Sequence, residues 1–114
     1  NKLWGDGGIK ISDNPFDTWI SKSSLIVDDD NNAIIAFEDN RDENVLRIVN
    51  LYKISPNGEF LWGENGIQLP AEESAAYLSP QIVQTSDNNY TIASHKLTNS
   101  GDDGSIMLYR VNSN

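Results

Sequence analysis

The chain contains one stretch twice. Trp4-Gly5-Asp6-Gly7-Gly8-Ile9 returns as Trp62-Gly63-Glu64-Asn65-Gly66-Ile67, 58 positions later in a chain of 114 residues. Self-similarity at such a period means that one supersecondary unit is used more than once, and this constrains the architecture before any other feature does. The match runs on. Trp19-Ile20-Ser21 pairs with Tyr77-Leu78-Ser79 at 58, and Ile26-Val27 with Ile82-Val83 at 56. Asn31-Asn32 pairs with Asn88-Asn89, and Leu51-Tyr52-Lys53-Ile54 with Leu108-Tyr109-Arg110-Val111, both at 57. The drifts fall between apolar runs, where loops absorb length changes at little cost. Two repeats are therefore expected, residues 1–58 and 59–114, the second lacking its last strand and the two forming one structural unit. The chain opens on Asn1-Lys2-Leu3-Trp4, the counterpart of Glu59-Phe60-Leu61-Trp62, and closes on the start of a turn. Both ends then fall inside one hairpin. That suits two units taken from a longer array, or a unit that joins its own copies end to end.

The apolar runs are short and separated by turn residues. Ser24-Leu25-Ile26-Val27-Asp28 and Ala33-Ile34-Ile35-Ala36-Phe37 flank Asp29-Asp30-Asn31-Asn32 and predict a hairpin, because Asn and Asp tolerate left-handed backbone and bond their own main chain. Gln81–Gln84 and Tyr90–Ala93 repeat it. Residues 45–54 predict a third strand that turns at Ser55-Pro56-Asn57-Gly58, where Pro pre-sets φ and Gly supplies a positive one. Glu59-Phe60-Leu61-Trp62 is expected as a fourth strand and Ile67-Gln68-Leu69 as a short extended piece. Residues 71–76 allow at most a helical turn. The expected class is all-β, with two tandem four-stranded antiparallel blades of the propeller type, either part of a propeller or a ring-forming repeat. Sandwich domains need a period nearer ~100 residues, and β-solenoids one of about 20–30.

Composition narrows the function classes. The formal net charge is −9 and the eight Lys and Arg are scattered, which disfavours nucleic acid. No apolar run approaches the ~20 residues of a membrane span, so no membrane insertion is expected. The absence of cysteine excludes disulfides and Cys-based zinc or redox chemistry. His95 is the single histidine, and no nucleophile–base pair is visible. Glu72-Glu73 and Asp102-Asp103 are adjacent pairs whose side chains point apart in extended chain, so neither reads as a glycosidase dyad. No cofactor is expected. Asp28, Asp29, Asp30, Asn31 and Asn32 carry calcium-type oxygens but lack the alternating spacing and closing Glu of a calcium loop; a solvated hairpin turn is the plainer reading.

Three groups remain as candidate ligand-binding residues. Trp19 and Tyr77 occupy one repeat position in the connection between blades, where an aromatic plane stacks on a sugar ring or plugs the gap between blades. Asp39 and Arg41, with Glu38, lie at a strand end and the following loop, as a structural ion pair or a polar ligand contact.

Asn32-Ala33-Ile34-Ile35-Ala36-Phe37-Glu38-Asp39-Asn40-Arg41, Leu51-Tyr52-Lys53-Ile54-Ser55-Pro56-Asn57-Gly58 and Leu61-Trp62-Gly63-Glu64-Asn65-Gly66-Ile67 together resemble the β-propeller-like repeats of large secreted and surface bacterial proteins of the Bacteroidetes type, with their Leu-Trp-Gly-x-x-Gly motif. The resemblance covers nearly the whole chain. Phe37 stands where a Trp is usual, and Ser94-His95-Lys96-Leu97 replaces the acidic segment in the second copy. The resemblance implies a secreted, cell-surface or periplasmic, non-enzymatic recognition or scaffold module. Its implied partners are a glycan or another surface protein, and the missing blades would come from a head-to-tail homo-oligomer or from a larger parent. The alternatives are an accessory segment of a glycan-degrading enzyme and a purely structural array segment.

Overall fold

The computed structural model of the chain describes residues 3–11, 22–39, 47–98 and 104–114. Trp19, Arg41 and Asp102-Asp103 lie outside them. Among the described residues there is no helix, and seven strands form two antiparallel sheets. The first sheet runs β1 (Ser23–Val27), β2 (Ala33–Asp39), β3 (Ile48–Ile54), β4 (Ile67–Gln68); the second runs β5 (Ala76–Gln84), β6 (Tyr90–Leu97), β7 (Gly104–Val111). Within each sheet every strand pairs with its successor in sequence, so each sheet is a meander. The fourth strand of the first sheet comes from the second sequence repeat, because the repeat boundary at Gly58 cuts the β3–β4 hairpin.

The two leading hairpins are superimposable in their bonding. Asp28 N–H donates to Asn32 O and Asn31 N–H to Asp28 O; Thr85 N–H donates to Asn89 O and Asn88 N–H to Thr85 O. Asn31 and Asn88 both have φ of 64°, the left-handed conformation that Asn tolerates better than most residues. Leu25 pairs with Ile35, and Ile82 with Ile92, so the structural offset is 57 throughout these hairpins. This corrects the match of Ile26-Val27 to Ile82-Val83 at 56. Sequence likeness slipped by one residue there, and in a strand one residue changes the face. Leu25, not Ile26, is the counterpart of Ile82.

The sheets stack face to face. Ile34, Ala36, Val49 and Leu51 of the first meet Tyr77, Ile82, Tyr90 and Ile92 of the second in one buried cluster, which Leu69 and Ala75 complete. On its opposite face the first sheet buries Phe37, Tyr52 and Ile54, covered by Ile9, Ile11 and Phe60. Phe37 stacks on Tyr52 and Phe60 meets Tyr52 edge-on, both at 5.8 Å between ring centroids. With both faces covered, every residue of β3 is buried, and its sequence alternation between apolar and polar is correspondingly weak.

The fourth strand is not where the sequence places it. Of residues 59–62, Phe60 bridges to Ile54 and Leu61 N–H donates to Lys53 O at 2.8 Å. The chain then leaves the sheet through two successive turns, with Gly63 N–H donating to Phe60 O and Gly66 N–H to Gly63 O, and rejoins β3 as Ile67 opposite Leu51. Gly63 and Gly66 have φ of 83° and 63°, the backbone state in which glycine carries no steric cost. Trp62, released from the sheet, packs edge-on against Tyr90 at 5.7 Å. Residues 71–76 hold a turn, with Ala75 N–H on Glu72 O, in place of a helical turn.

Candidate functional site

Among the described residues, a cleft lies at the hairpin end of the junction of the sheets and another beside the β4–β5 connection. The Asp28 carboxylate sits at the hairpin end, buried, at the head of its turn. One oxygen accepts from the backbone N–H groups of Asp30 and Asn32, at 3.0 and 2.9 Å. The other accepts from Asn32 Nδ2 at 3.0 Å, from the Tyr90 hydroxyl at 2.9 Å and from Lys53 Nζ at 3.3 Å. Burial alone would raise the carboxyl pKa, but the bonds from Asn32, Tyr90 and Lys53 outweigh it and hold Asp28 at about 2. Burial and the same carboxylate push the Tyr90 phenol upward. Lys53 lies over the rings of Trp62 and Tyr90, at 5.9 and 5.6 Å from their centroids, and donates to Ser113 O at 2.9 Å. A cleft of about 210 Å³ opens above this network between Asp29, Asp30, Gln84 and Asn88.

Asp28, the innermost of the acidic run, spends both oxygens on protein donors. Among the described residues no group of three His, Cys, Asp or Glu side chains could hold a metal ion. The run works as a turn whose first carboxylate ties the two sheets together.

The second cleft, of about 200 Å³, lies beside the connection from β4 to β5 and is lined by Pro70, Ala71, Glu72, Tyr77, Met107 and Tyr109. Tyr77 is buried, and its hydroxyl accepts from Glu72 N–H at 3.1 Å. Tyr109 is half-buried and donates from its hydroxyl to Pro70 O at 3.3 Å. Burial, then the neighbouring Tyr77 and Glu72, raise the Tyr109 phenol, so it remains a neutral donor. At the rim Glu72 pairs with Lys96, whose pKa this hydrogen bond raises. The result is two phenol rings and an apolar wall with a carboxylate and an ammonium at its edge.

Of the residues singled out from sequence, Tyr77 thus lines a cleft while most of its surface is core. Asp39 is buried and accepts from Asn50 Nδ2 at 2.7 Å; its loop partner Arg41 and the aromatic Trp19 lie outside the described residues. Glu38 is also buried. It accepts from Arg47 Nη1 at 3.2 Å and from Ser79 N–H at 2.7 Å, and so clamps the start of β5 onto the first sheet. Tyr109 and Lys53 were missed by sequence reasoning. Their repeat mates Tyr52 and Arg110 point to a structural position, and only the stacking shows that Tyr109 reaches a cleft. Comparison with protein-family models, curated proteins and solved structures found no match to this chain.

Proposed function

We propose that this chain is a non-enzymatic, extracytoplasmic recognition and scaffold module built from propeller-type blades, with a carbohydrate as its ligand. The observation that carries the reading is the cleft between Tyr77 and Tyr109. A sugar presents an apolar C–H face and a rim of hydroxyls. Phenol rings and an apolar wall suit the face, and the Glu72–Lys96 pair at the rim suits the hydroxyls. The acidic surface and the absence of a nucleophile–base pair in the sequence support a binding role over catalysis. The resemblance of the Leu61-Trp62-Gly63 region to secreted bacterial repeats supports the location. A glycan array followed by calorimetry on Tyr109→Ala tests the reading. The half-buried Tyr109 tolerates truncation better than Tyr77, so the variant is expected to keep its melting profile and lose at least tenfold in affinity. Unchanged affinity in a folded Tyr109→Ala protein rules out this cleft.

A further inference from the structure

The two outer faces of the stack are halves of an interface that the molecule already contains once. Transferring Leu25, Val83, Ile106 and Leu108 by 57 positions lands in each case on a residue of the junction between the sheets. Leu25, 61% exposed on the free face of β1, corresponds to Ile82, 3% exposed. Ile106 and Leu108, 62% and 69% exposed on the free face of β7, correspond to Val49 and Leu51, 2% and 0% exposed. Val83, exposed on β5, corresponds to Ile26, which packs against the central cluster. The first sheet therefore ends in the face that the second sheet buries, and the second sheet ends in the face that the first sheet buries.

The strand edges repeat the same relation. β3 is flanked by β4, with Ile67 opposite Leu51 and Leu69 N–H donating to Val49 O at 2.9 Å. Among the described residues its counterpart β7 pairs with β6 alone, leaving an open edge. The counterpart of the β4 segment is residues 3–11, which already has the matching shape. Gly8 N–H donates to Gly5 O as Gly66 N–H does to Gly63 O, and Gly5 and Gly8 have φ of 80° and 72°. Ile9 and Ile11 pack on the first sheet as Ile67 and Leu69 pack toward the second. A Cβ placed on Gly66 would meet Leu51 O at 2.2 Å, whereas one on Gly8 meets nothing within 4 Å. The space beside Gly8 is where the carbonyl of a second β7 would lie.

We infer that this chain docks head to tail on a second copy of itself. The copy's first sheet covers Val83, Ile106 and Leu108, and its residues 3–11 extend the second sheet with Ile9 opposite Leu108. The operator is the one that already relates the two sheets, so no rearrangement is needed. The interface is heterologous and either closes as a ring or grows. The Glu38 clamp has His95 at its equivalent position, so the new interface relies on apolar burial and strand pairing.

Light scattering and sedimentation on the chain and on Leu25→Asp and Leu108→Asp test this. Both side chains are exposed in the single chain, so both variants are expected to stay folded. The unaltered chain is expected to assemble, each variant alone to remain a single chain, and the two variants mixed to form a one-to-one complex through their two intact faces. An open-ended series of sizes abolished by either substitution supports the same docking without closure. An unaltered chain that is single at all concentrations, assembly indifferent to both substitutions, or a mixture that stays as single chains overturns the inference.

Discussion

At the residue scale, Asp28 shows how a turn residue becomes a structural centre. Its carboxylate collects donors from its own turn, from Lys53 of β3 and from Tyr90 of the second sheet. Lowering its pKa from 3.8 to about 2 means that between these values the unfolded chain binds more protons than the folded one. Stability from this group is fully present above pH 4 and is lost as pH falls through 2. The shift amounts to about 2 kcal/mol. Asp28→Asn is expected to lose about that much at pH 7 and to flatten the stability profile between pH 4 and 2, read from urea midpoints across that range. A variant that keeps the acid dependence of the original chain would place the responsible carboxyl elsewhere. The sequence showed Asp28 only as one of three consecutive aspartates; a bond from Tyr90, 62 positions away, leaves no local trace.

At the element scale, the interrupted outer strand explains the Trp-Gly-x-x-Gly-Ile motif. Trp62 must leave the sheet to reach Tyr90, and the two glycines return the chain to β3. The two glycines differ in what surrounds them. Gly63 faces open space, while Gly66 lies against Leu51 O and the Tyr52 ring. Gly63→Ala is expected to cost about 1 kcal/mol for its left-handed φ alone. Gly66→Ala adds a backbone clash and is expected to cost at least about 3 kcal/mol, both measured by chemical denaturation. Equal costs would mean that the motif is a plain turn. The hairpins and β3 were legible because their turn residues and β-branched runs are local signals. The fourth strand was misplaced because pairing at Phe60 and Leu61 stops after two residues, where Trp62 turns to the Tyr90 ring, and resumes only at Ile67. The one-residue slip at Ile82 arose because Ile-Val matches Ile-Val in composition but not in face.

At the scale of the whole molecule, the repeat controls both what is buried and what is left open. The first sheet has a core on each side of β3 but leaves Leu25 of β1 in solvent on its outer face, and the second leaves Ile106 and Leu108 of β7 in solvent. The Tyr77–Tyr109 cleft exists only because the β4–β5 connection crosses the junction of the two sheets. Neither residue could be assigned to a cleft from a repeat position alone, since Tyr52, the mate of Tyr109, is core. The all-β class and its antiparallel pairing followed from period and turn chemistry. The candidate site did not, because it is made where the β4–β5 connection meets Met107 and Tyr109 of β7, about 30 positions further along the chain.

The stacking register is the claim on which the rest depends. Methyl and aromatic nuclear Overhauser spectroscopy on the Leu108→Asp chain, which is expected to be single in solution, tests it most directly. The account predicts contacts from Ile82 and Ile92 to methyls of the first sheet and from Trp62 to the Tyr90 ring, with none from Val83 to the first sheet. Contacts from Val83 in place of Ile82 would contradict it, since they would turn the opposite face of the second sheet inward.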